Sequence, residues 1–347
     1  MTESDSNSFH YDGGSVAPGE TQHVRYTVSE TYLGDPIRIP VTIINGDEPG
    51  ATAFLSAAIH GDELNGVEVV RTIAHEWDHD EIRGTVVCLP ILNVPGFLFQ
   101  QRYLPIYDRD LNRAFPGDDA GTSARRIADA VYRNFLEPCD FGVDLHTSTR
   151  GRTNMFHVRA AMDDDEVARL ARGFGSPVII DGTGPSGSLR REATNRGIPT
   201  ITVEMGQAHR FQRELIDRAL SGVRSVFAEF GLHAQESVRW PGWQTVITGE
   251  EKTWLRADVG GLVEMHHRRG DLIEEGETIC TITSPFLTER VPVEAPHAGM
   301  LVGVLENPVV YPGNPLCHFV ELQERTRRIV AAAESDDRWA GEPGREP

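Results

Sequence analysis

The 347-residue chain has room for one large domain and a smaller module. Its formal charge of −19 disfavours nucleic acid and anionic membranes as partners, and no stretch approaches the roughly 18 consecutive apolar residues that a membrane span needs. The four cysteines, Cys88, Cys139, Cys280 and Cys317, show no C-x-x-C spacing, which argues against a cysteine-based zinc site or a disulfide framework and for buried thiols in a reducing compartment.

Residues 1–22 are polar and acidic. They lack the basic start and apolar run of a secretory signal, and they read as the flexible arm of a soluble, cytoplasmic protein. Positive charge is carried almost wholly by arginine, with Lys252 the one lysine. A carboxylate-rich surface with lysine nearly eliminated suits a salt-rich, halophilic cytoplasm, where screening relieves self-repulsion.

The β-branched stretches at 24–28 and 37–44 predict strands. A D-E-P-G turn at 47–50 leads into 51–59, an apolar run suited to a strand buried on both faces. Asn65 is placed to cap a helix with Glu68 at the capping-box position, and Val70, Ile73, Ala74 and Trp77 form its apolar stripe. Further strands are predicted at 85–92, 141–145, 178–180 and 198–203, and helices at 123–136, 164–174 and 211–230. Strands separated by helices predict an α/β domain with a parallel or mixed sheet over 23–235. From Trp243 short strands recur between Gly-rich turns, predicting an all-β module over 243–322, and the charged tail at 323–347 reads as disordered.

The strongest chemical signal follows the buried strand at 51–59. In His60-Gly61-Asp62-Glu63 a tight turn lets an imidazole and a carboxylate converge, a mixture zinc accepts while keeping a position for water. Three companions give it weight. Asp144-Leu145-His146 closes another buried strand and offers a third ligand. Asp110-Leu111-Asn112-Arg113 puts an amide beside a guanidinium, suited to bidentate recognition of a carboxylate. Val203-Glu204-Met205-Gly206 ends a further strand on a carboxylate, and ligands of open α/β sheets gather at such carboxyl ends.

With H-G-D-E, D-L-N-R-A-F-P-G, D-L-H-T and V-E-M-G in this order, the chain resembles the succinylglutamate desuccinylase/aspartoacylase family over roughly residues 23–322. The resemblance implies a zinc-carboxypeptidase-like α/β fold, a mixed sheet flanked by helices, with a smaller C-terminal all-β module. It implies zinc on His60, Glu63 and His146, Glu204 as general base, Asn112 and Arg113 as a substrate-carboxylate clamp, and Arg102 as the carbonyl-polarising arginine. The segment from Arg102 to Asp110 is longer than in typical aspartoacylases, which leaves Arg109 in competition for that role. A second substrate arginine is Arg190 or its neighbour Arg191, with Arg190 favoured. The implied activity is hydrolysis of an acyl–amide bond in a small N-acyl amino acid or related carboxylate-bearing molecule. A metallocarboxypeptidase acting on short peptides and a non-catalytic ligand-binding scaffold are the alternatives.

Three other signals have blander readings. His75-Glu76-Trp77-Asp78-His79 matches the H-E-x-x-H zinc pattern, but its histidines fall opposite the apolar stripe and read as solvent-facing. The glycine-rich run at 181–187 lacks a P-loop lysine and reads as a substrate-pocket loop. The β-module resembles lipoyl/biotinyl-type sandwiches, yet Lys252 precedes its turns, so it is expected to narrow the pocket mouth or mediate homo-oligomer assembly, with His266 and His267 on the surface.

Overall fold

The computed structural model describes residues 7–105, 108–148, 151–233, 244–247, 252–286 and 288–335. Apolar, β-branched runs assemble at its centre, as burial on both faces demands. Strand Glu48–Ala57 lies between Arg83–Leu89 and Phe141–Ser148, with Thr200–Gln207 beyond the latter, all four parallel. Pro36–Asn45 and then Glu20–Glu30 extend one edge antiparallel, and Arg152–Ala160 extends the other. The sheet is therefore mixed.

Helices cover both faces. Asn65–Glu76, Asp165–Gly173 and Arg213–Glu229 pack on one side around Val69, Ile73, Leu170 and Val223, all buried. Ser123–Val131, continued by a π turn at Tyr132–Leu136, packs on the other around Ile127, Val131 and Phe135. Each such side chain, taken fully out of water, contributes roughly 1.5–3 kcal/mol before the entropy of ordering is counted.

Thr245–Ile247 pairs in parallel with Val178–Asp181; the C-terminal strands after it are antiparallel, and they are not a detached unit. Gly299–Leu305 pairs with Arg152–Ala160, and Pro315–Glu321 and Lys252–Arg256 follow, so the large sheet runs on into the module. Arg290–Glu294, Thr278–Thr283, Gly261–Met265 and Val309–Val310 form a separate four-stranded sheet. Residues 234–243, where the two predicted units meet, lie outside the described residues.

Four local expectations are corrected. Within the predicted flexible arm, Phe9–Tyr11 and Gly14–Val16 pair as a hairpin whose Phe9 and Val16 are buried in the core, while residues 1–6 lie outside the described residues. Within the predicted disordered tail, Glu324–Ser335 is a helix that buries Val330 against Ile180, Ile247 and Val320; residues 336–347 lie outside the described residues. Asn65 does not cap its helix. Leu64 holds that position without a side-chain bond, and Asn65 Nδ2 instead donates to the Met205 carbonyl at 3.0 Å and to Gln212 Oε1 at 3.2 Å. Nor does Glu68 close a capping box, since it accepts from Arg71 at 2.8 and 2.9 Å. Among the described residues no helix is long and apolar enough to cross a membrane.

Candidate active site

The site grows from the carboxyl ends of the parallel strands. After Ala57 the chain turns sharply: Ala58 adopts φ 44°, a left-handed conformation costing an L-residue roughly 1–2 kcal/mol. This turn brings His60 and Glu63 over the sheet. Gly61 is required at the tip, because a Cβ there would collide with the backbone of Gly96. His146 arrives from the strand Phe141–Ser148, and Glu204 is its register partner on Thr200–Gln207. The Asn65 amide, bonded to the Met205 carbonyl, ties the start of the first helix to the end of that strand.

Glu63 is the hub. Its Oε1 lies 2.7 Å from His60 Nδ1 and its Oε2 lies 3.0 Å from His146 Nδ1. Each imidazole turns its other nitrogen to a second carboxylate, His60 Nε2 to Asp110 Oδ1 at 3.2 Å and His146 Nε2 to Asp144 Oδ2 at 2.8 Å. Asp144 is steadied in turn by the Ser56 hydroxyl, which donates at 2.8 Å. Arg102 brings Nη1 to 3.2 Å from His60 Nδ1 and 3.3 Å from Glu63 Oε1.

Burial works to raise the Glu63 pKa, but His60 and then His146 outweigh it and hold the carboxyl well below the usual range. Burial likewise works against a charged His146, yet Asp144 and Glu63 raise its pKa well above the ordinary histidine value. Asp110 is lowered, with burial opposed first by His60 and then by Arg102. Three buried or half-buried carboxylates around two imidazoles demand positive charge, met in this arrangement by protons and Arg102. A divalent cation meets the same demand. His60, Glu63 and His146 are all buried and present one ligand atom each within 4.8 Å of one another, a nitrogen–nitrogen–oxygen set that fits zinc.

A cavity of roughly 570 Å³ opens over this cluster. Asn112, Arg113 and Arg190 line it together with Arg102 and Glu204. Asn112 Oδ1 accepts from the Leu189 amide at 2.8 Å, which leaves its NH₂ for a ligand. Gly187, at φ 77°, passes so close to the Arg113 backbone that a side chain there would displace it. The structure places the paired alternatives differently. Arg109 and Arg191 are absent from the cavity lining; Arg109 is exposed, and Arg191 donates to the Gly184 carbonyl at 3.1 Å. Arg190 is buried, donating to the Gly182 carbonyl at 2.7 Å.

The alternative zinc motif is not assembled. The first helix ends at Glu76 and Trp77 turns extended, so His75 and His79 share no helix face. His75 is exposed, and His79 contacts Asp47 at 4.0 Å.

The catalytic-domain profile of the succinylglutamate desuccinylase/aspartoacylase family matches residues 49–230, a span containing all of these site residues. The chain belongs to this family. It is 24% identical over 267 residues to the N-alpha-acetyl-L-2,4-diaminobutyric acid deacetylase of Halomonas elongata, covering 74% of this chain and 78% of that protein. To the succinylglutamate desuccinylase of Pseudomonas paraeruginosa it is 27% identical over 193 residues, 50% of this chain and 56% of that protein. Among solved structures, the product-bound ectoine utilization protein EutE (DoeB) of Ruegeria pomeroyi superposes with a TM-score of 0.80 at 22% identity, covering 87% of this chain and 95% of that one.

Sequence reasoning missed the partners of Glu204. Asn154 Nδ2 donates to Glu204 Oε2 at 2.9 Å, and Arg159 Nε lies 3.3 Å from Oε1. Both come from Arg152–Ala160, a strand not predicted at all. Polar residues inside a buried β segment were the available signal, because such groups need partners. Trp254, Arg256 and Pro315 of the C-terminal module also line the cavity.

Proposed function

We propose that this protein is a zinc-dependent deacylase that hydrolyses an acyl–amide bond in a small N-acyl amino acid or related carboxylate-bearing molecule. One observation carries the reading: the two imidazoles converge on Glu63 in the same cavity that holds Glu204 and the Asn112–Arg113 pair.

His60, Glu63 and His146 would hold the zinc, which when bound polarises the acyl carbonyl and lowers the pKa of a water. The outer carboxylates Asp110 and Asp144 fix the two imidazoles in orientation. Glu204 accepts the proton of the attacking water and returns it to the leaving nitrogen. Arg102 donates to the carbonyl oxygen as negative charge grows there, a contribution typically of about 2.7–4 kcal/mol. Asn112, Arg113 and Arg190 grip the substrate carboxylate, so the scissile bond is presented in one pose.

The carboxypeptidase alternative uses the same metal and clamp but needs an open cleft. Trp254, Arg256 and Pro315 line this cavity from the module side, and its volume of roughly 570 Å³ suits a small molecule. The test is a rate comparison with zinc-loaded protein at high salt, using N-acetyl, N-succinyl and N-formyl amino acids against di- and tripeptides. Release of free amine from the N-acyl compounds alone is expected. Faster cleavage of the peptides would replace this reading with the carboxypeptidase one.

A further inference from the structure

Glu204, the proposed base, has both carboxylate oxygens engaged. Asn154 Nδ2 donates to Oε2 at 2.9 Å, and Arg159 Nε stands 3.3 Å from Oε1. Both partners come from the strand Arg152–Ala160, and that strand is shared. One edge pairs with the strand that carries Glu204, and part of the other edge pairs with Gly299–Leu305 of the C-terminal module. Whatever shapes the module edge therefore acts on the supports of Glu204.

In that pairing Asn154 lies opposite Gly303. A side chain at Gly303 would bring its Cβ to 2.5 Å from Asn154 Oδ1, too close for two such atoms. The next neighbour, the Thr153 carbonyl oxygen, would be 3.4 Å away, an ordinary van der Waals contact. The obstruction is thus one side-chain atom and not the backbone.

Nothing else about Gly303 calls for glycine. It is buried in the middle of a strand, where glycine loses the most backbone entropy and packs no side chain. It is not among the glycines at positive φ. The register against Pro315–Glu321 slips between Leu301 and Gly303, but a bulge requires glycine only where its residue is left-handed. What remains is the space that Asn154 Oδ1 occupies.

That space also orients the amide. Nδ2 has to face Glu204, because an amide oxygen there would meet a carboxylate that can only accept. Oδ1 is then directed at Gly303. A methyl group on Gly303 would turn the amide, since the end of a short side chain yields before backbone does, and Nδ2–H would leave Oε2. A catalytic group misplaced by about 1 Å can lose on the order of 100-fold in rate.

We infer that Gly303 is a positioning residue for the proposed base: the module presents no side chain at this one position, so that the Asn154 amide stays on Glu204. The role of Glu204 rests on the deacylase reading, whereas the packing of Gly303 on Asn154 does not. The module thereby takes part in the reaction beyond lining the cavity with Trp254, Arg256 and Pro315. Gly303 itself does not line the cavity, so its effect on turnover passes through a neighbour.

The test is a double-mutant cycle on the zinc-loaded full chain, with N-acetyl, N-succinyl and N-formyl amino acids as substrates. Gly303→Ala and Asn154→Ala are each expected to lower kcat by about tenfold or more, with KM within about threefold and zinc unchanged. The double variant should be no slower than Asn154→Ala, because the added methyl then meets no amide. Urea unfolding gives a readout that needs no activity. Gly303→Ala should raise the unfolding equilibrium constant about tenfold in the wild-type background and less than about threefold when residue 154 is alanine. Losses of kcat that multiply in the double variant, a defect confined to KM, or a wild-type rate in either single variant overturns the inference. Should Gly303→Ala fail to fold, a folded double variant supports the inference and an unfolded one overturns it. If the wild type hydrolysed none of these compounds, the deacylase reading would fall. Coupled unfolding would then still establish the Gly303–Asn154 packing, and uncoupled unfolding would remove that as well.

Discussion

Glu204 and His146 face each other in register on adjacent parallel strands. The proposed base and a proposed metal ligand are thus set at one level of the sheet by backbone ladders, not by loops. Their separation is insensitive to the loop that carries Arg102, whereas the position of Arg102, the proposed electrophile-stabilising arginine, depends on how that loop packs on the turn at Gly61, whose amide donates to the Arg102 carbonyl.

Zinc is expected at about one equivalent per chain, as three converging protein ligands imply. His60→Ala/His146→Ala should remove it, and Arg102→Ala should not. Elemental analysis after gel filtration checks both. Full zinc in the double variant would falsify the ligand assignment.

The parts of this molecule that could be read from sequence are those whose requirements are local. A strand buried on both faces must be apolar throughout, and a site at its end must follow at once, so 51–63 and 141–146 announce themselves. Arg159 and Asn154 do not, because their strand matters only through Glu204, 45 or more residues later in the chain. Arg256 is further removed still, reaching the cavity only because Gly299–Leu305 pairs with Arg152–Ala160. The N-terminal hairpin escaped because three-residue strands carry almost no periodicity. The C-terminal helix was readable: Glu324 and Arg328 sit at i, i+4 spacing, the ion pair forms at 2.9 Å, and Ala, Arg and Glu are strong helix formers.

That helix supplies a stability test. Val330 is fully buried against Ile180, Ile247 and Val320, so Val330→Ala should lower stability by about 2 kcal/mol. Deleting the residues from 324 onward should cost more. Urea unfolding monitored by circular dichroism measures both. A truncated chain as stable as the full one would show that this docking contributes nothing.

The unassembled H-E-W-D-H motif should be dispensable. His75→Ala/His79→Ala is expected to keep both zinc and activity, because His75 is exposed and the helix ends before His79. Loss of zinc from a variant with a native circular dichroism spectrum would move the metal centre to this segment.

Acid should destabilise the protein partly through His318, which is 4% exposed. Burial, and then the charges of Arg159 and Lys252, push its pKa down to about 3, from an ordinary value of 6.5. Between those values the unfolded chain binds a proton that the folded chain refuses. The stability owed to neutral His318 is therefore present above pH 6.5 and declines as pH falls through this window, by about 1.4 kcal/mol per unit. His318→Phe keeps a ring stacked on Trp254, where the centroids are 4.9 Å apart, but cannot titrate. The difference in unfolding free energy between wild type and variant should shift toward the variant by about that slope between pH 6 and 4. Parallel pH profiles would show that His318 is not the titrating group.

Replacing the proposed base separates proton transfer from metal binding. Glu204→Gln preserves the shape of the side chain and can still accept the Asn154 amide that now donates at 2.9 Å, but it cannot take a proton from water. Turnover should fall by about 100-fold or more with KM little changed. Zinc should stay at the wild-type level, because Glu204 lies outside the His60, Glu63 and His146 set. Arg113→Ala should behave in the opposite way. It removes a charge-assisted contact worth roughly 1.5–3 kcal/mol, so KM rises by about tenfold or more, and the effect should shrink for substrates lacking the clamped carboxylate. Steady-state kinetics on both variants, with zinc measured on the same samples, gives four numbers that the mechanism fixes in advance. Near-normal turnover in Glu204→Gln, or zinc loss there with an intact fold, would mean that Glu204 is not the base. An Arg113→Ala defect equal for every substrate would remove only the clamp, since the metal site and Glu204 do not depend on it.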